Sequence, residues 1–329
     1  MAKYIVKRII YIVLVFIALS IIIFFLYNSV PGDPAMAKIY PLKQRVTPEA
    51  FQQMYVVTRA QMGLDDPLPS RYWKWFQRLI TLDLGVSSLY NKPVMDVLLV
   101  PLKNTVLMNL FVVFFGLVIT IPLGIAMAVK KNTIFDRIIQ VVTLVGVSIP
   151  SFVTALVFIY FFAVKLGWFP VSGWRTPNLQ AVDKWTEYKD VLWHLFLPVT
   201  ILVSSSMAST TRYIRSAMVS SLSMDYIKTA RAKGLTEKTV IFSHAWRNAL
   251  LPVVTLLVGW ILSIFYGSIV VETMFGLNGM GNTFITALRS QDWAVGLGVQ
   301  MFYVLLALSS NLIIDLTFGL VDPRVRINA

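Results

Sequence analysis

Few residues in this chain could do covalent chemistry, and those few stand apart. None of its 329 residues is cysteine, which removes thiolate catalysis, disulfides and Cys-ligated metals together. The two histidines, His194 and His244, are distant from each other and from other ligand types, so no metal site is expected. Neither HExxH nor GxSxG occurs, which leaves a hydrolase without its zinc ligands or its nucleophile. GxxxxGK[ST] is also missing, so the chain lacks the usual cradle for ATP. Two acids stand out. Asp315 falls in an apolar stretch, where an ionised carboxylate costs about 2.5–3.5 kcal/mol, and an interfacial ion pair with Arg324 or Arg326 is expected. Glu272 is expected to pair with Arg289.

The elements that must position these groups are membrane helices. Apolar residues make up 57% of the chain and charged residues 14%, about half the usual charged share. Apolar stretches near 9–30, 105–129, 138–163, 191–211, 250–271 and 295–318 each supply the roughly twenty residues a helix needs to cross the hydrocarbon core. Backbone amides facing lipid have no water to bond, and the runs are too long and too unalternating for barrel strands, so all six are predicted to be helices. The fold class is an all-α membrane protein. The first apolar run exceeds the roughly 7–15 residues of a cleaved signal core and is expected to stay as a span.

Basic residues give the orientation. With Lys3, Lys7 and Arg8 ahead of the first span, six crossings place both ends and the 130–137 and 212–249 loops on one side, which carries fifteen Lys and Arg against five acids. That side is expected to be cytoplasmic. The net charge of +13 is therefore read as a topology signal and an attraction to anionic headgroups, not as a nucleic-acid surface.

Residues 31–104 form the one large segment on the opposite side. Thr47-Pro48-Glu49 predicts a capped helix start and Gly63 its stop. A second helix is predicted from Ser70 to about Leu82. Its Tyr72, Trp73, Trp75, Phe76, Leu79 and Ile80 beside Arg71, Lys74 and Arg78 suit either a helix in the headgroup layer or one packed on neighbouring spans. Gly276, Gly279 and Gly281 in FGLNGMG predict a tight turn.

Within the 212–249 loop, Tyr226–Lys233 is helix-compatible, Gly234 interrupts it, and Leu235 to Val240 restarts one with Thr236 as cap and Leu235 and Val240 at staple positions. The pattern is helix, glycine corner, helix, with neither arm long enough to enter the bilayer. It fits a solvated connector and a docking lever equally. Polar groups inside the spans are the only guide to a pathway: Asn109, Thr154, Ser205, Ser209, Ser263, Tyr266 and Glu272 are the candidates, beside Ser204, Ser206, Thr210, Ser268 and Asn311. Ser204 with Ala208 and Ser205 with Ser209 have the small-xxx-small spacing of helix packing, and Pro122, Pro150 and Pro198 are expected to bend their helices.

Ala230, Gly234 and Leu251-Pro252 resemble the mark of permease subunits of ATP-binding cassette importers, where a Glu-Ala-Ala and glycine loop docks into the ATPase. Lys228 and Thr229 replace the consensus Glu and Ala, and the distance from Gly234 to Pro252 is longer; both departures resemble the dipeptide and oligopeptide branch. The likeness runs through the whole chain: Pro31-Gly32-Asp33-Pro34, Gly63-Leu64-Asp65, Asp83-Leu84-Gly85, Ile121-Pro122-Leu123-Gly124, Ser148-Ile149-Pro150-Ser151-Phe152, Val271 to Gly276 and Asp322-Pro323-Arg324-Val325-Arg326. The long segment after the first span resembles the first of two unlike permease subunits.

The resemblance implies a type I importer transmembrane domain. It divides the chain into an N-terminal tail and first span (1–30), an extracytoplasmic segment (31–104), a five-helix core with its coupling loop (105–318) and a cytoplasmic tail (319–329). It implies a non-catalytic subunit of an importer of di- or oligopeptides in a bacterial or archaeal cytoplasmic membrane. Expected partners are a second related permease, one or two ATPases that hold ATP and Mg, an extracytoplasmic binding protein, and membrane lipid. Tyr226, Ala230, Arg231, Gly234, Leu235, Thr236 and Glu237 would be the docking residues, and Glu272 could attract the amino terminus of a peptide. Nickel, glutathione or haem are alternative cargoes, and an ion-coupled transporter is the rival mechanism, with Asp315 as its sole qualifying acid.

Overall fold

The computed structural model describes residues 2–179 and 183–321, with side chains over 5–179 and 183–317. It is helical throughout apart from one isolated bridge between Val86 and Pro93. Five helices are long and apolar enough to cross a membrane: Ile5–Ser29, Val94–Val129, Lys184–Leu222, Glu237–Met274 and Trp293–Thr317. Ile134–Ser148 with Ser151–Lys165 is an apolar pair bent by 100°, which brings the number to six if the pair is one span. The expected single helix over 138–163 is thus two helices. Pro150 has no N–H and forces the residue before it out of the helical region, and Ile149 is extended at φ −85°, ψ 122°. By contrast the helices carrying Pro122 and Pro198 run on without a break. Residues 94–104, read from sequence as part of the outer segment, are the first turns of the second span.

The chain divides into two compact units. The first comprises residues 1–104 and 278–311. Thr47 Oγ1 accepts from Ala50 N and caps helix Pro48–Gln61, and Gly63 follows it at φ +65°. Asp33 caps the short helix Pro34–Ile39 through Ala35 N (2.9 Å) and Met36 N (3.2 Å), while Tyr55 and Arg59 donate to its other oxygen. Burial would raise this carboxyl, but the hydrogen bonds from Tyr55, Met36 and Ala35 and the charge of Arg59 outweigh it and hold the group below the usual carboxylate range.

Helix Leu68–Ile80 resolves the two readings of the aromatic segment by dividing its faces. Tyr72, Trp75, Phe76 and Leu79 pack on Ile23 and Phe24 of the first span and on Leu297 and Met301 of the sixth. Trp73 and Ile80 remain exposed. Of the FGLNGMG glycines, Gly281 is not in the turn; it lies within helix Met280–Arg289.

The second unit comprises residues 105–277 and 312–329. One apolar cluster gathers Met108, Leu195, Ile201, Val271 and Phe275; another gathers Ile125, Ile214, Met218, Ile227, Val240 and Ala249. In lipid such packing depends on close contact rather than on exclusion of water. A Cβ on Gly124 would fall 2.7 Å from Ile214 and 3.1 Å from the Thr211 carbonyl, so only glycine allows the second and fourth spans to approach this closely. Asp136, with a fully buried carboxylate, receives Arg215 Nε and Nη2, both at 2.7 Å, and Asn132 N at 2.9 Å. This fork ties the start of the broken span to the fourth. Beyond the second helix of the bent pair, Gly173 N donates to Phe275 O (2.8 Å).

Two measurements check these contacts. Asp136→Ala strands a guanidinium that is mostly buried and is expected to lower stability by about 3–5 kcal/mol in thermal unfolding in detergent, with Asp136→Leu/Arg215→Met recovering most of the loss. Because the folded Asp33 carboxyl titrates below its unfolded value of about 3.9, its stabilisation is complete above that pH and disappears as the pH falls through the lower folded value. Asp33→Asn is expected to flatten that acid limb of the unfolding profile.

Candidate functional site

The Gly234 corner is built from three local rules. Helix Asp225–Ala232 buries Ile227 and Ala230 against Ile214, Met218, Val240 and Ala245, the i, i+3 stripe of an amphipathic turn. It stops at Gly234, where φ is +77°. Leu235 N returns to Ala230 O and Gly234 N to Arg231 O, which satisfies two carbonyls that the helix end would otherwise leave open. Thr236 then caps the next helix, its Oγ1 accepting from Thr239 N. Across the corner Arg231 grips Glu237 with both forks, Nε to Oε1 at 2.7 Å and Nη2 to Oε2 at 3.2 Å. The hydrogen bond to Glu237 lifts the guanidinium still higher in pKa, so it is a permanent cation.

One expectation about this corner needs correction. The arm after Gly234 is not a separate short helix. Glu237–Thr239 passes through a π-helical stretch, Val240–Trp246, directly into helix Arg247–Leu262, so the lever's second arm is the beginning of the fifth span. Val240, Ala245, Ala249 and Val253 give it one continuous buried face, with no glycine or proline to interrupt it before Pro252. Widened turns expose carbonyls to other donors. Here Ser221 Oγ donates to Ala245 O at 2.7 Å and contacts Tyr226 Oη at 2.7 Å. Ser221 was not legible as a site residue; a lone serine at a helix end carries no signal until the carbonyl it serves is in place.

The other docking candidates separate by exposure. Ala230 is buried against the chain's own helices, whereas Tyr226, Arg231, Gly234, Leu235, Thr236 and Glu237 are exposed. At the two staple positions Leu235 is exposed and Val240 is buried. Beside the corner lies a groove of about 410 Å³ whose walls include Tyr213, Ser216, Ser220, Met224, Asn248 and Pro252.

Of the pathway candidates, Asn109 and Tyr266 are in direct contact. Asn109 Nδ2 donates to Ile264 O (2.9 Å) and Tyr266 O (2.8 Å), covering carbonyls freed where the fifth span breaks at 266–268. Glu272 has no exposed surface and accepts from Thr105 Oγ1 at 2.9 Å, so in this conformation it neither lines a pathway nor offers a carboxylate to a peptide amine. Four of the candidate hydroxyls bond their own helix: Ser205 to Ile201 O, Ser209 to Ser206 O, Thr210 to Ser206 O and Ser263 to Trp260 O. Ser204, Ser205, Ser209 and Ser263 are exposed, Thr154 is half-buried, and Ala208 alone of the small-xxx-small pairs is buried. His194 is not isolated; Asp190 lies 3.5 Å away and accepts Thr176 N and Oγ1. Arg324 and Arg326, expected beside Asp315, lie outside the described residues, as does the 322–326 motif.

Comparison with known proteins agrees with this architecture. Residues 120–327 match the family described as binding-protein-dependent transport system inner membrane component, and residues 1–95 match its N-terminal companion family. The oligopeptide transport system permease protein AppB of Bacillus subtilis is 35% identical over 99% of both chains. The dipeptide transport system permease protein DppB of the same organism is 32% identical over 100% of this chain and 99% of its own. A putative peptide permease protein of Brucella suis is 36% identical over 94% of this chain and 95% of its own. With a helical bundle of up to six crossings and this match from end to end, the chain belongs to the binding-protein-dependent transport system inner membrane component family, as a multi-pass permease subunit with the type I ATP-binding cassette importer fold.

Proposed function

We propose that this chain forms half of the translocation pathway of an ATP-driven importer of di- or oligopeptides, worked by ATPase subunits that dock at the Gly234 corner. The observation that carries the reading is the continuity of the corner with the fifth span. A push on exposed Arg231, Leu235 or Glu237 is transmitted through one ion-paired turn into a membrane helix without an intervening flexible joint. Rigid tilting of spans by such a lever couples two distant sites through a two-state element. Peptide cargo is supported by the oligopeptide and dipeptide permeases of Bacillus subtilis, which match this chain over nearly their whole length.

The remaining assignments follow from charge and exposure. The Gly234 end faces the cytoplasm together with both termini, because the basic residues concentrate there, and the segment 31–93 faces outward to meet a binding protein. Hydroxyls left exposed in the fourth span, at Ser204, Ser205 and Ser209, support a second, related permease covering that face. ATP and Mg would be held by the partner ATPases, since this chain has no phosphate loop of its own.

The test is ATP hydrolysis stimulated by the loaded binding protein in the reconstituted complex. No atom lies within 4 Å of a Cβ built on Gly234, so a side chain there strains the backbone alone. Gly234→Val is expected to lower stimulated hydrolysis about tenfold or more, the left-handed backbone costing a β-branched residue about 1–2 kcal/mol, with membrane insertion unchanged. Gly234→Asn, which tolerates that conformation, should retain most activity. Arg231→Glu should uncouple the complex, and Arg231→Glu/Glu237→Arg should restore coupling. Full stimulation in Gly234→Val would remove the corner from the coupling route.

A further inference from the structure

Two helix breaks in the second unit differ in kind. At Pro150 the break is covalent, because the ring leaves no N–H and bars the residue before it from the helix. The fifth span has no such cause. No proline occurs between Pro252 and Pro323, yet helix Arg247–Leu262 tightens into a 3₁₀ turn over Ser263–Phe265, opens at 266–268 and resumes as Ile269–Met274. A 3₁₀ turn inside a helix often marks a hinge. Tyr266 (φ −88°, ψ 121°) and Ser268 (φ −92°, ψ 101°) are extended with negative φ, so little more than rotation about ψ returns them to the helix, and Gly267 between them follows without steric cost.

Side chains hold this break open. In an unbroken helix Ile264 O would accept Ser268 N and Tyr266 O would accept Val270 N. Here both carbonyls accept from Asn109 Nδ2, at 2.9 and 2.8 Å, and Ser268 Oγ accepts Val271 N at 3.3 Å to cap the resumed helix. Each carbonyl has a donor in either arrangement, which is the condition a span must meet to have two of them in lipid. The halves on either side are anchored unequally. Beyond the break Glu272 accepts Thr105 Oγ1 at 2.9 Å, Phe275 O accepts Gly173 N at 2.8 Å, and Val271, Phe275 and Leu277 are buried with Met108 and Leu195. The inner half is continuous with the Gly234 lever, and from Val254 to Leu262 none of its residues is buried. A residue that passes from extended to helical shortens the chain by about 1.8 Å, so Tyr266 and Ser268 together would draw the inner half toward the break by about 4 Å.

We propose that residues 266–268 are a two-state joint latched by Asn109. In the open state, the one seen here, Ile264 O and Tyr266 O sit on the Asn109 amide; in the closed state they accept Ser268 N and Val270 N, and the fifth span is one continuous helix about 4 Å shorter. Asn109 is thus a positioning residue for transport, acting through the backbone of the fifth span. A push on the lever toward the bilayer compresses the span and favours the shorter state, so the stroke of the ATPases releases the latch. The direction of that stroke rests on the coupling reading; the joint rests on the hydrogen bonds around it.

The test is a distance across the joint. The chain has no cysteine, so nitroxides on Phe242→Cys and Ile269→Cys, both exposed positions, report the length of the fifth span by dipolar electron spin resonance in the reconstituted complex with cysteine-free partners. The long distance is expected without nucleotide, and one about 4 Å shorter with ATP held unhydrolysed. Asn109→Leu, which has no N–H to offer, should show the short distance with and without ATP, and Asn109→Gln, which keeps both donors, should restore the long one. An asparagine that only supports the fold would lower stability in the leucine variant and leave the distance long. Ser268→Ala removes the cap of the open state alone and should shift the ratio of long to short about fivefold toward short, so the idea stays testable even if Asn109→Leu misfolds. A single distance in all conditions, a lengthening with ATP, or the wild-type ratio in either variant overturns the proposal. Gly234→Val should keep the long distance without nucleotide and lose most of the response to ATP. Full stimulation in Gly234→Val sinks the coupling reading, while shortening in Asn109→Leu and Ser268→Ala without nucleotide still reports the joint, so the two failures are separable.

Discussion

A carbonyl in the hydrocarbon core has no water to bond, and each irregularity in this chain is arranged around that constraint. The fifth span breaks at 266–268, and Asn109 on the second span donates to the carbonyls of Ile264 and Tyr266 on either side of the break. The π-helical stretch at 240–246 exposes the carbonyl of Ala245, and Ser221 donates to it. The third span breaks at Pro150, where Val153 N and Thr154 N fold back onto the Pro150 carbonyl and restart the helix. Polar side chains in the spans therefore serve backbone first, which is why a list of them does not describe a pathway.

Charge follows the same economy at the ends of the spans. Asp136 and Arg215 form a two-pronged pair with the carboxylate sealed from solvent, and the fourth span that carries Arg215 also supplies Ile214 and Met218 to the cluster that buries Ile227 and Ala230 of the lever. The lever is thus seated on a part of the second unit that is itself cross-linked by charge. Its exposed half, by contrast, is held by the open Arg231–Glu237 fork and a glycine whose surroundings are empty. Rigidity beneath and accessibility above are what a surface pushed by another protein requires.

Much of this was legible in the sequence. The Gly234 corner followed from capping rules alone, since Thr236 and the glycine act through their own backbone neighbours. Thr47, Gly63 and the helix between them were legible for the same reason. What escaped were contacts between residues far apart in the chain. Asp136 and Arg215 looked like two charges in separate loops, Asn109 like a polar residue facing a channel, and Glu272 like an acid at the mouth; each is committed to a distant partner. The lever's second arm was expected to be a short helix of its own because Leu235 to Val240 has too little apolar length to enter the bilayer, yet it continues through the π-helical stretch into the fifth span along a buried face from Val240 to Val253.

Composition and hydropathy by themselves determined that this is a helical membrane protein, because long unalternating apolar runs can satisfy their backbone groups in lipid only as helices, and local capping chemistry determined where its lever turns. Only the tertiary structure decided that the apolar run over 134–165 is bent at Pro150 by 100° and that the lever is an extension of the fifth span. Those depend on which helices approach one another, and neighbours in space are set by packing across long sequence separations that no local pattern encodes.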